Sequence, residues 1–174
     1  MKSLNELSAS GLTWTQKNGR SVLRDADDSA IGEMRRPRWF SSVVEVDAEG
    51  SRWAFERKGW WKNYIEIRSL GTGEEPARFN YKGQNGDLTY PDGRVYHWRS
   101  LGWSGRKWLW TDSEDQAVMG IELTGSFSLR GEIRLDPDLA SKKAPSLLLF
   151  LGWFLIITAQ DDSAAVAASV ATMG

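Results

Sequence analysis

The chain has 174 residues and a net charge of −1 at pH 7, long enough for one domain with a substantial core and too neutral for a nucleic-acid surface built on bulk positive charge. It contains no cysteine, which excludes a disulfide framework and a thiolate metal site and fits a reducing compartment. The opening residues, MKSLNELSASGLTW, lack the apolar stretch of about 7 to 15 residues that a secretory signal needs, so the expected location is cytoplasmic.

From Leu12 to Leu135 the pattern is one of short alternating or β-branched segments separated by turn residues, which predicts an all-β domain. Segments 12–16 and 21–24 flank Asn18-Gly19, a pair that tolerates the positive φ of a tight hairpin. Segments 29–34 and 38–46 follow, with Pro37 breaking the ladder between them. Glu49-Gly50 turns the chain into 51–56, Lys58-Gly59 begins the next connection, and the strand holding Tyr64, Ile65 and Ile67 ends at Gly71-Thr72-Gly73. Segments 77–81 and 86–90 are expected to pair across an Asn85-Gly86 turn, and Pro91-Asp92-Gly93 leads into 95–99. Segments 108–111, 117–122 and 126–135 bring the expected total to about twelve strands.

Residues 145–159, PSLLLFLGWFLIITA, are hydrophobic on every side and must be buried in something. Fifteen residues make a helix of roughly 22 Å, short of the ~30 Å bilayer core, so length favours a core helix. A membrane anchor is the alternative, because Lys142 and Lys143 precede the run and Asp161 and Asp162 follow it. Gly152 reads either as a close-approach site or as a tolerated glycine. The last residues, 163–174, either extend the helix beyond Asp162 or fray, and fraying is the expectation; with 161–174 taken as an Ala-rich tail, residues 1–160 form one domain. The ten tryptophans are expected mainly in the core.

About twelve antiparallel strands lose their edges by closing into a barrel, and such a barrel has more room than inward side chains fill. A helix about 10 Å across fits that room. The expected fold is therefore a closed antiparallel barrel enclosing a C-terminal hydrophobic helix. The apolar helix after a dozen strands, the D-G and N-G turns, and the clusters Tyr96-His97-Trp98 and Trp108-Leu109-Trp110 together resemble the tubby C-terminal-like superfamily, which includes the LURP-one-related proteins and the phospholipid scramblases. The resemblance implies a twelve-stranded barrel threaded by a central helix. No ligand signature of that family matches residue by residue, so neither its phosphoinositide-binding cations nor its calcium-binding segment transfers.

The sequence offers little catalytic chemistry. His97 is the single histidine, and Gly102-Trp103-Ser104-Gly105 is a fragment of a nucleophile elbow, so no hydrolase and no metal set is read. Asp112, Glu114 and Asp115 read as a solvated hairpin turn in preference to a calcium loop. The most suggestive surface feature combines Arg57, Lys58, Trp60, Trp61 and Lys62, repeated in Arg106 and Lys107 beside Trp108, and in Arg35, Arg36 and Arg38 around Trp39. Indoles favour the membrane interface, and each nearby cation gains about 1 kcal/mol beside anionic lipid. The expected function is a non-enzymatic intracellular binding or scaffold module, without cofactor or metal, that contacts anionic phospholipid peripherally or a protein partner and no nucleic acid. The alternative is a membrane-anchored, scramblase-like protein using 145–159 as its transmembrane segment.

Overall fold

The computed structural model describes residues 10–37, 42–48, 50–58, 63–102, 104–124, 129–135 and 146–171. The strands are β1 (Ser10–Lys17), β2 (Arg20–Arg24), β3 (Ala30–Arg35), β4 (Val43–Ala48), β5 (Ser51–Lys58) and β6 (Tyr64–Ser69). They continue with β7 (Arg78–Lys82), β8 (Asn85–Thr89), β9 (Val95–Leu101), β10 (Lys107–Thr111), β11 (Ala117–Thr124) and β12 (Arg130–Leu135). Each pairs antiparallel with its neighbour in sequence, and β1 pairs with β12 to close the barrel. A helix, Ser146–Ala171, follows. The closed barrel expected from the turn spacing is what forms, and closure leaves no strand edge unpaired.

The wall obeys the period of two that pleating imposes. On β6, Ile65 and Ile67 are buried while Glu66 and Arg68 face outward; on β4, Val44 and Val46 are buried beside Glu45 and Asp47. Helix residues 147–156 are buried on all sides, which explains why the run has no polar face. Trp14 stacks on Trp153 with centroids 5.4 Å apart and meets Phe150 edge-on at 5.1 Å, while Phe55 meets Phe154 at 5.6 Å. Each fully buried side chain of this size contributes about 1.5–3 kcal/mol. Trp14, Trp98, Trp108, Trp110 and Trp153 are core residues and Trp53 packs against them. Trp39, Trp60, Trp61 and Trp103 lie outside the described residues.

Glycines make the fit between wall and helix. A Cβ on Gly131 would lie 2.5 Å from the Trp153 ring, and one on Gly32 would lie 2.6 Å from the Phe150 ring. Gly152 is the close-approach case, since its Cβ would come within 2.9 Å of Ile121 and of the Trp110 indole nitrogen.

Two expectations need correction. The β7–β8 turn is at Gly83-Gln84, where Gly83 has φ 67°, while Asn85 and Gly86 belong to β8 and pair with Lys82 and Tyr81. Gly86 is required for space: a Cβ there would sit 2.2 Å from the Phe79 ring. The helix also continues through Ala171, well past the point where fraying was expected. Alanine has the highest helix propensity, and Asp161 and Asp162 meet Arg36 and Arg57 of the barrel rim in exposed ion pairs.

Because neighbouring strands alternate in direction, connections that follow odd-numbered strands gather at one end and those that follow even-numbered strands at the other. The helix comes after β12, enters at the even end and emerges at the odd end. From Ala159 onward its described side chains are exposed. Among the described residues it is the one helix long and apolar enough to cross a membrane, over Ser146–Ala165, and its most apolar part is the part the barrel encloses.

Candidate functional site

The helix exit is where polar and apolar chemistry meet. Phe55 and Arg57 share the inward face of β5, two residues apart, so the strand that packs Phe55 against the helix delivers Arg57 to the inner rim. There its guanidinium donates to Asp162 at 2.7 Å, and Arg36, just past β3, donates to Asp161 at 2.7 Å. The partners are one residue apart on the helix, which ties the exiting segment to the ends of β3 and β5.

Between the helix and the strand ends lies a cleft of about 340 Å³. Trp98 and Trp108 form one wall, with ring planes 7° apart, and Leu155 and Ala159 of the helix form another. Arg57, Tyr81, Asp162 and Ser163 line its polar side. The Arg57 guanidinium lies 5.4 Å from the Tyr81 ring centroid, a cation–π distance. The Tyr81 hydroxyl is closed off from solvent and has no hydrogen-bond partner among the described residues. Burial pushes its pKa up to about 12, against a smaller opposing effect of Arg57. The hydrogen bond that Arg57 donates to Asp162 raises the guanidinium above its ordinary value, so at neutral pH the cleft presents a fixed cation and a neutral phenol. A smaller cleft of about 200 Å³ lies beside Arg36, Phe154 and Asp161.

The described members of the residues singled out in the sequence do not share one face. Trp60, Trp61 and Lys62 lie outside the described residues, as do Arg38 and Trp39. Adjacent residues on a strand diverge: Arg57 turns to the cleft, whereas Lys58 lies on the outer face between Glu56 at 2.6 Å and Glu66 at 3.1 Å. Arg106 donates to the Leu123 carbonyl oxygen at 3.1 Å, and Lys107 pairs with Glu122 at 3.0 Å. Of the described cations, Arg57 is the one that lines the cleft, with Trp108 on its apolar side. Sequence reasoning missed Tyr81, Trp98 and Asp162 as its partners. The available signal was Arg57 sharing strand parity with Phe55.

Other polar features are accounted for by structure. His97 Nδ1 is 2.8 Å from Asp87 Oδ1, and Lys82 Nζ is 2.5 Å from Asp87 Oδ2. Thr111 faces His97 across the ladder, but its hydroxyl has no hydrogen-bond partner among the described residues, so it does not donate to the imidazole. Asp112 accepts the backbone N–H groups of Glu114 and Gln116 at 2.9 Å each and Asp115 pairs with Arg99, which makes the acidic cluster a hairpin turn. No group of three or more His, Asp or Glu among the described residues could hold a metal ion. A larger concavity, about 510 Å³, lies on the outer face of β1 to β4 and is crossed by the Arg20–Glu33 pair. Comparison of the chain with protein-family models, curated proteins and solved structures finds no match.

Proposed function

We propose that this protein is a non-enzymatic binding module that attaches peripherally to anionic phospholipid through the end of the barrel from which the helix emerges. One observation carries the reading, namely that the two ends of the barrel differ in charge. In sequence, the connections at the helix-exit end hold Arg36, Arg38, Lys62 and Arg106, together with Trp39, Trp60, Trp61 and Trp103; the emerging helix brings Asp161 and Asp162 to the same end, where they pair with Arg36 and Arg57, so the excess of positive charge rests on Arg38, Lys62 and Arg106. The connections at the other end that join strand to strand hold Asp25, Asp27, Asp28, Glu49, Glu74, Glu75, Asp92, Asp112, Glu114 and Asp115, one arginine, Arg94, and no tryptophan. An anionic surface attracts the first end and repels the second, which orients the molecule before contact. Indoles then anchor at the headgroup level.

The test is co-sedimentation with vesicles of neutral lipid, or of neutral lipid with a phosphatidylserine fraction, at low and high salt. Expected are capture by the anionic vesicles, loss of capture as salt shortens the screening length, and at least a fivefold reduction in a Trp60→Ser, Trp61→Ser, Lys62→Ala variant. Equal capture by both vesicle types, or by variant and wild type, sinks the proposal.

A second reading, in which residues 145–159 form the centre of a membrane span, is favoured by the helix meeting the length and apolarity of a span once it is taken through Ala165. It requires the barrel to give up the side chains that fill it. Retention in the membrane fraction after alkaline carbonate washing would support it; release would count against it.

A further inference from the structure

We propose that the cleft at the helix exit binds a single anionic amphiphile from solution, a carboxylate or phosphate on a short apolar chain, with Arg57 exchanging Asp162 for the ligand's anionic group. The proposal stands on the cleft itself and does not need adsorption to a bilayer.

The walls define the ligand. Trp98 and Trp108 are buried, with 3% and 6% exposure, and with Leu155 they offer an apolar floor on which a hydrocarbon segment leaves water. The polar side carries one fixed cation, Arg57, whose planar guanidinium matches a carboxylate or phosphate. The Tyr81 hydroxyl, closed off from solvent and without a partner among the described residues, becomes a donor for a second oxygen of the same group only when the Arg57–Asp162 contact opens. At about 340 Å³ the cleft sits at the low end of the roughly 300–1,000 Å³ typical of small-ligand pockets, which favours one short chain over a two-chain lipid.

Asp162 occupies Arg57 as an internal stand-in for the ligand's charge. The pair is weakly held, since the Arg57 and Asp162 side chains keep 41% and 59% of their exposure and exposed ion pairs contribute little. Exchange therefore removes one anion from Arg57 and supplies another, while the ligand's chain gains the apolar floor. Asp162 returns to water on a helix whose following described residues are exposed.

Isothermal titration with decanoate below its micellar concentration tests this, with acetate and decanol as controls for tail and head. The expected result is saturable one-to-one binding of decanoate and none of either control. Arg57→Ala should weaken binding about tenfold or more, because a charge-assisted contact is lost. Asp162→Asn should tighten it by up to about fivefold, because the internal competitor is gone. Both substitutions break the same ion pair, so a purely structural role predicts equal effects in one direction, and opposite signs identify ligand exchange. Absence of decanoate binding, acetate or decanol binding as tightly, or the same sign for both variants overturns the proposal. None of these outcomes depends on vesicle capture, so the cleft and the surface are tested separately.

Discussion

Gly131 is paired with Trp14 across the β1–β12 seam, and the Trp153 ring occupies the place its side chain would take. Gly131→Ala is therefore expected to lower stability by about 1–3 kcal/mol through overpacking. Trp153→Phe in the same molecule should recover part of that loss, because the smaller ring vacates the contested volume and neighbouring substitutions do not add. Urea unfolding of the single and double variants measures it; simple additivity would show that the two positions do not compete. The indole N–H groups of Trp14, Trp110 and Trp153 have no hydrogen-bond partner among the described residues, so bulk is what these positions use. At this scale the sequence is least legible. A glycine in a strand signals close approach without naming what approaches, and Gly86 was read as a turn residue because Asn-Gly fits a turn so well. Only the position of Phe79 reveals that the hairpin turns two residues earlier.

The helix serves two purposes along its length. Residues 147–156 fill the barrel, and Asp161 and Asp162 fasten the emerging segment to Arg36 and Arg57. Truncation after Ser163 keeps both and should melt within a few degrees of the full chain. Truncation after Pro145 removes the core; losing a single large buried side chain costs about 2–5 kcal/mol, and losing all of them exceeds the total stability of about 5–15 kcal/mol. Circular dichroism melting of the two truncations decides this, and cooperative melting of the shorter one would contradict a structural role for the enclosed residues. The enclosed part was legible because uniform hydrophobicity over a length too short for a bilayer leaves few alternatives. The end of the helix was not, since the Ala-rich stretch carries propensity for a helix but no apolar stripe to say what holds it.

Over the whole molecule the number of strands and the closure were legible from turn spacing, whereas the cleft was not. Its walls come from β5, β7, β9, β10 and the helix, and only the closed topology brings these together. The cleft and the opposite end are also marked by tyrosines that resist ionisation. Burial raises Tyr81 to about 12, and burial raises Tyr90 further. An unfolded tyrosine releases its proton near pH 10, so above that pH the unfolded chain binds fewer protons than the folded one. Stability contributed by Tyr81 is thus complete below about pH 10 and is lost as pH rises through about 12. Tyrosinate absorbance should show these two rings ionising late, together with alkaline unfolding; ionisation of all four tyrosines near pH 10 with the fold intact would refute the burial of Tyr81 and Tyr90.

The filling of this barrel is the last part of it to be synthesised. Twelve strands are synthesised first, and at about 5–20 residues per second the roughly 20 residues from the end of β12 to Ile156 take another 1–4 s. For that interval the nascent wall has an apolar inner surface and nothing native to cover it. Closure is also distant along the chain, since Thr15 pairs with Arg130, and ring closure over such a separation is slow. Biosynthesis of this protein therefore passes through a stage that invites chaperone engagement, and a ribosome stalled before the helix would release a chain unable to complete its own interior.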